Sequence, residues 1–181
     1  MLYLLLDPNE SNLDVDQAYG LWYRVWSTEF EKLYAGTVLR SDDFTRQDFV
    51  GALFDDTDRC AGLSLFRTVN LTQPQARQDS YFSAWNAADL DALCRDGSWV
   101  LVSSYFTVAP EYRKTDVKHE LMRNIKRVFE NLTSADAMCG TVRNDRGVNK
   151  LVYEHGFVPV KRGATMHGVS VDLTAYYRIP E

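Results

Sequence analysis

The residues best suited to chemistry in this 181-residue chain lie in one run. An apolar stretch ends at Val108-Ala109-Pro110, and Glu111-Tyr112-Arg113-Lys114-Thr115-Asp116-Val117-Lys118 follows before apolar residues recur at helical spacing. A strand-to-helix turn of this kind leaves backbone N–H groups without partners at the positive end of the helix dipole, a seat for phosphate. Arg113, Lys114 and Lys118 add formal positive charge to it. The plainer reading of the same bases is a solvated loop. Other chemistries lack their residues. His119, His155 and His167 show neither H-E-x-x-H nor a Cys/His ligand spacing, so no metal site is expected. There is no G-x-S-x-G and no G-x-x-x-x-G-K-[ST]. Cys139 falls in a strand-like segment and is expected to be buried, not nucleophilic.

The elements that must position this turn follow from periodicity. Met1–Leu6 reads as a short strand. Val15, Tyr19, Trp22, Trp26, Phe30 and Leu33 recur at steps of three and four, which predicts a helix of about five turns with Asp14 as N-cap and Gly36 as its stop. Phe49–Phe54 and Ala61–Leu71 read as strands around the turn-rich Asp55-Asp56-Thr57-Asp58. Short helices and loops are expected over 74–96. Trp99–Val108 is a strong strand pattern, and Val117, Leu121, Ile125, Val128 and Leu132 mark the next helix. A strand over Ala135–Val142, a helix over Val148–Tyr153, and strands at Phe157–Val160 and Met166–Tyr177 complete the chain. Helices between neighbouring strands argue for an α/β (α+β) sheet with some parallel pairing.

Composition sets the limits. Hydrophobic residues make up 45% and aromatics 13%, which excludes a disordered or low-complexity chain. The length suits one domain over 1–181, large enough to bury roughly 70% of its unfolded surface. No apolar run approaches the ~20 residues of a membrane span, and the opening lacks the basic flank of a secretory signal. Cys60, Cys94 and Cys139 are an odd number without C-x-x-C spacing, which suits reduced thiols in the cytoplasm. The net charge of -5 is unevenly spread. Residues 1–60 carry 12 acids and 5 bases, and residues 111–181 carry 9 acids and 12 bases. That asymmetry suits an anionic ligand or partner at the C-terminal part, or an ordinary mixed surface. Nucleic acid is not expected as a partner, because no basic stripe is interleaved with aromatics.

Two segments carry a family resemblance: Val108-Ala109-Pro110-Glu111-Tyr112-Arg113 and Tyr153-Glu154-His155-Gly156-Phe157. In the order strand, V-x-P-x-Y-R, helix, strand, short helix, Y-E-x-G-F, the chain resembles the GNAT superfamily of acyl-CoA-dependent N-acyltransferases over nearly its whole length. The resemblance implies a mixed, splayed central sheet flanked by helices. It also implies a pantetheine arm bound in the splay like an extra strand and a pyrophosphate on the amides of the 113–118 turn. Two departures stand out. Asp116 and Lys118 occupy positions where the family's turn has glycines, and Tyr153 lies three residues before Gly156 where the family's tyrosine lies four before.

The first 70 residues are more narrowly similar to acyl-homoserine-lactone (autoinducer) synthases and long-chain N-acyl amino acid synthases, through Leu21-Trp22-Tyr23-Arg24-Val25-Trp26, Ser41-Asp42-Asp43-Phe44 and Ala61-Gly62-Leu63-Ser64-Leu65-Phe66-Arg67. Ser104-Tyr105-Phe106-Thr107-Val108 is similar to their S-R-F-x-V strand. Val102, Tyr105 and Thr45 replace residues a lactone synthase needs, so lactone synthesis is not expected.

What the resemblance implies is transfer of an acyl group from acyl-CoA (acetyl-CoA) or acyl carrier protein to a primary amine of a small metabolite or amino acid. An acidic carrier protein would meet Arg113, Lys114, Lys118, Arg123, Lys126 and Arg127. Backbone N–H groups at Phe106 or Val108 would polarise the thioester carbonyl, and Tyr153, or Ser104 or Tyr105 in its place, would protonate the thiolate. Thr115, Val117 and Asn144 join the donor-binding set. Asp42, Asp43 and Asp79 are candidates for deprotonating the amine, Trp26 lies on the acceptor side, and Arg24 either pairs with Asp42 or Asp43 or binds an acceptor carboxylate. The alternative is a GNAT-fold protein that no longer catalyses and binds an acyl or anionic ligand or a protein partner. The oligomeric state is open, a homodimer included.

Overall fold

A computed structural model describes residues 1–33 and 39–178. Its elements are β1 (Leu2–Leu6), α1 (Leu13–Leu33), α2 (Asp42–Thr45), β2 (Phe49–Phe54), β3 (Cys60–Asn70), α3 (Pro74–Arg77), α4 (Ala87–Leu93), β4 (Trp99–Val108), α5 (Val117–Leu132), β5 (Ala137–Arg143), α6 (Val148–Glu154), β6 (Val158–Met166) and β7 (Val169–Tyr177). The hydrogen-bonded strand order is β1-β2-β3-β4-β5-β7-β6. β4 and β5 run parallel, while the β1–β2, β2–β3, β5–β7 and β6–β7 pairs are antiparallel. The sheet is therefore mixed, as the sequence pattern requires. By internal contacts the chain forms two compact units, Met1–Arg67 with Ser103–Lys126, and Thr68–Val102 with Arg127–Glu181.

In the first unit, α1 buries Val15, Ala18, Leu21 and Trp22, a face set by the three- and four-residue spacing. They pack with Val50, Ala52, Phe54, Leu63 and Leu65 of β2 and β3. Each such side chain contributes roughly 1.5–3 kcal/mol when fully buried. The helix begins earlier than the expected Asp14 cap. Asn12 Oδ1 accepts the Val15 amide at 2.9 Å, because its short side-chain oxygen reaches a first-turn N–H. Asp14 instead lies within the first turn, where its negative charge complements the dipole's positive end. The stop expected at Gly36 lies outside the described residues.

In the second unit, Trp85, Leu90, Leu93, Val100, Ala137, Leu173 and Ala175 form the core. Asn86 and Asp89 make a reciprocal capping box at the start of α4. The Arg178 guanidinium closes the C-terminal end of α5 by donating to the carbonyls of Phe129 (2.9 Å), Glu130 (2.8 Å) and Ala135 (3.1 Å). The last two strands differ from the sequence reading. β6 continues to Met166, and a two-residue turn at His167 (φ 50°) and Gly168 (φ 77°) joins it to β7. Both turn residues have the positive φ of a type I′ hairpin. Register shifts between Pro159 and Ala164 break the alternation that would have revealed this strand. Among the described residues no helix is long and apolar enough to cross a membrane.

Candidate active site

The site begins with an interruption in β4. Its parallel ladder with β5 runs through Val100↔Ala137, Leu101↔Met138 and Val102↔Cys139, yet β4 itself continues to Val108. Three residues past the last pair, Tyr105 has φ 53°. A left-handed aromatic residue inside a strand marks a bulge and costs roughly 1–3 kcal/mol, so its surroundings must hold it there. They do so from α1. Thr107 Oγ1 donates to the Tyr105 carbonyl at 2.6 Å, and Trp26 Nε1 donates to that same hydroxyl at 2.9 Å. The Tyr105 ring stands edge-on to Trp22 (5.7 Å) and Trp26 (5.0 Å). Trp22 is fully buried, and its Nε1 has no partner among the described residues. Ser104 Oγ makes only a long 3.5 Å contact with the Leu65 carbonyl. Phe106 and Val108, beyond the bulge, are half-buried.

The turn after β4 is narrower as an anion seat than its sequence implies. The Arg113 amide donates to Pro110 O (3.4 Å), the Thr115 amide to Tyr112 O (3.0 Å) and the Val117 amide to Thr115 Oγ1 (3.4 Å). Those three expected phosphate donors are thus engaged within the turn. The amides of Lys114 and Lys118 take no acceptor among the described residues, and both side chains are exposed. Arg113 Nε reaches back to Val108 O at 3.4 Å. Arg123, expected to face an acidic partner, is bonded to Asp116 at 3.0 Å.

The acceptor-side expectations change as well. Arg24 is exposed and forms no ion pair among the described residues. The partner taken by Asp43 is Arg46, one helical turn away at 3.0 Å, since α2 puts the two on one face. Asp42 is exposed in the first turn of α2. Asp79 caps the short turn at Ser80–Phe82, accepting from the Tyr81 amide at 2.9 Å.

In the second unit, Tyr153 and Asn144 converge on a residue the sequence reading missed. Asp172 on β7 is 4% exposed. Its carboxylate accepts from Tyr153 Oη (2.7 Å), Asn144 Nδ2 (3.0 Å), Asn149 Nδ2 (3.5 Å) and the Gly163 amide (2.8 Å). Gly163 presents that amide from φ 65°, a conformation that favours glycine. Burial pushes the Asp172 pKa up, but the four hydrogen bonds outweigh it and leave the group below the usual carboxylate range. Burial, then the bond to Asp172, pushes the Tyr153 phenol up to about 12. The Arg162 guanidinium lies 5.1 Å from the centre of its ring. The Oδ1 atoms of Asn144 and Asn149 are buried without partners. An acid in the middle of the apolar run Val169-Ser170-Val171-Asp172-Leu173 was the available signal, because a charge on a core strand needs several partners.

One pH dependence follows. Tyr153 and Tyr176, the latter bonded to Glu130 at 2.6 Å, are both raised to about 12, largely by burial. Unfolded tyrosine loses its proton near 10. The folded chain therefore binds more protons than the unfolded one between pH 10 and 12. Stability is fully present below about pH 10 and falls as the pH rises toward 12. Urea midpoints measured across this window are expected to drop, and the Tyr153→Phe/Tyr176→Phe variant to show a shallower fall.

Burial pushes the Cys60 thiol up to about 12 and Cys139 further, and raises that of the half-buried Cys94 as well. Among the described residues no group of three or more His, Cys, Asp or Glu side chains is placed to hold a metal ion.

The strand order, the interrupted β4 and the turn leading into α5 define the fold of the GNAT N-acetyltransferases, and solved structures match it over essentially the whole chain. A mosquito arylalkylamine N-acetyltransferase-like 5b protein matches with TM-score 0.70 at 16% identity, covering 98% of this chain and 100% of that one. FeeM, an N-acyl amino acid synthase from uncultured soil microbes, matches with TM-score 0.62 at 13% identity over 98% and 95%. Arabidopsis thaliana NAA60 in complex with acetyl-CoA matches with TM-score 0.60 at 11% identity over 98% and 99%. At these identities the likeness establishes a shared fold. No protein-family model and no curated protein matches the sequence.

Proposed function

We propose that the protein is an N-acyltransferase moving an acyl group from an acyl-CoA thioester to a primary amine of a small metabolite or amino acid. The observation that carries this reading is the strained bulge at Tyr105, held by α1 just beyond the point where the β4–β5 ladder ends. A donor arm would add to β4 there through the backbone of Phe106 and Val108, as an extra strand adds to a sheet edge. The Lys114 and Lys118 amides, with their ammonium groups and Arg113, would take the pyrophosphate. We choose acyl-CoA over acyl carrier protein because acetyl-CoA is the molecule bound in the Arabidopsis neighbour.

In the proposed reaction the neutral amine attacks the thioester carbonyl directly, with no covalent enzyme intermediate. The C–N bond forms, a β4 amide stabilises the developing oxyanion, and the C–S bond breaks. The hydroxyl of Ser104 or Tyr105, in the same unit as the β4 amides, gives its proton to the departing thiolate and recovers one from the product nitrogen, so no net proton comes from the protein. Tyr153, named first for this role by the family resemblance, directs its one hydroxyl hydrogen to Asp172 within the second unit. Arg24, without an ion pair among the described residues, suits an acceptor carboxylate. Asp42 suits the amine, and Trp26 lends an apolar wall. The three unpaired cysteines agree with a cytoplasmic protein.

Asp116 and Lys118, at positions where close phosphate approach favours glycine, support a second reading as a non-catalytic binder of the same donor. Thiol release from acetyl-CoA and a long-chain acyl-CoA, with a panel of amino acids and simple amines, separates the two. Stabilisation with turnover supports the transferase, and stabilisation without turnover supports the binder. No response to either thioester contradicts both. Lys114→Ala with Lys118→Ala is expected to weaken CoA binding about tenfold by calorimetry, through loss of two charge-assisted contacts. Both side chains are exposed, so the melting temperature should hold.

A further inference from the structure

We infer that Tyr112 is a positioning residue for the donor, its phenol fixing the Arg113–Lys118 turn from the β2–β3 loop; this rests on the proposed transferase reading. The loop is wound around one carboxylate. Asp55 Oδ1 accepts from the Thr57 amide (2.8 Å), Thr57 Oγ1 (2.8 Å) and the Arg59 amide (3.0 Å). Its Oδ2 receives Arg59 Nε (3.3 Å) and Nη2 (3.2 Å). The Tyr112 hydroxyl donates to this same Oδ2, and Arg59 Nη2 lies 3.4 Å from the phenol oxygen. The carboxylate is placed by its own loop before Tyr112 is added, so it acts as a fixed anchor.

From the phenol a continuous set of contacts reaches the anion seat. The ring packs with Leu53, Ala61 and Val117. The Tyr112 amide donates to Ala109 O at 2.9 Å. Its carbonyl accepts both the Thr115 amide (3.0 Å) and Thr115 Oγ1 (2.7 Å), and that hydroxyl accepts the first amide of α5. Lys114 lies inside the loop closed by these bonds, and Lys118 follows the last of them. No residue from Arg113 to Lys118 has positive φ. Without glycine to shape the turn, its form depends on what holds Tyr112 at each end.

The test is CoA calorimetry with steady-state kinetics on wild type, Tyr112→Phe, Asp55→Asn and the double variant. Tyr112→Phe keeps the ring and removes only the hydroxyl. A five- to twentyfold rise in CoA Kd and acyl-CoA KM is expected, with kcat and the acceptor KM within twofold. The double variant should exceed Tyr112→Phe by less than Asp55→Asn alone exceeds wild type. Should Tyr112→Phe fold poorly, Asp55→Asn carries the same expectation. Wild type binding CoA while both single variants bind it equally well overturns this inference alone. A fall in kcat with unchanged KM overturns it too. Wild type failing to bind CoA overturns the proposed function, and this inference with it.

Discussion

Asp172→Ala is expected to lower the melting temperature by about 10–15 °C. The substitution strips the acceptor from four donors at once: Tyr153 Oη, Asn144 Nδ2, Asn149 Nδ2 and the Gly163 amide. A buried polar group left without its partner costs about 1–3 kcal/mol. Part of the total is offset because a nearly buried charge disappears with the side chain. About 3–5 kcal/mol remains, and each kilocalorie moves the midpoint by about 2–4 °C in a chain of this length. Asn144→Ala removes one donor and leaves three, so a loss of only about 1 kcal/mol is expected. Calorimetric scans of the two variants beside wild type check the contrast. An Asp172→Ala midpoint within 2 °C of wild type would mean that the carboxylate does not organise this unit.

Ser104→Ala is expected to reduce kcat for acyl transfer by about a hundredfold, at the low end of the range for a positioned proton donor. The hydroxyl makes only a long 3.5 Å contact with the Leu65 carbonyl, so stability should fall by no more than about 1 kcal/mol. The acyl-CoA KM should stay within threefold, because the hydroxyl is assigned to proton transfer and not to donor binding. Single-turnover thiol release under saturating acyl-CoA reads the effect on chemistry directly. A kcat within twofold of wild type would remove Ser104 from the reaction. Tyr105 would then be next in line.

Much of the fold was legible because single-period patterns carry it. The spacing of Val15, Trp22 and Trp26 and the unbroken Trp99–Val108 run define a helix and a strand whatever surrounds them. Boundaries and side-chain partners were less legible. Asp14 looked like a cap because caps and first-turn acids draw on the same residue types, and only geometry shows Asn12 reaching the Val15 amide. The hairpin of β6 and β7 was hidden because the bulged Lys161-Arg162-Gly163 stretch has no two-residue alternation. In the candidate site, the turn at 113–118 could be located from charge and spacing. Which of its amides remain available depends on Tyr112 and Thr115, which accept from neighbours a few residues away. Asp172 could not be tied to Tyr153 and Asn144, since separations of 19 and 28 residues leave no local periodicity to read. Arg24 and Asp43, plausible partners by charge, part company because Asp43 pairs with Arg46, the residue that caps the C-terminal end of α2.

Amide hydrogen exchange in the presence and absence of saturating acetyl-CoA tests donor binding on β4 most directly. Slower exchange at Phe106 and Val108, together with Lys114 and Lys118, is the expected result, while the amides of β1 and β2 stay as they were. Exchange at those four positions that does not change while acetyl-CoA is bound would contradict a donor site at the bulge and the turn beyond it.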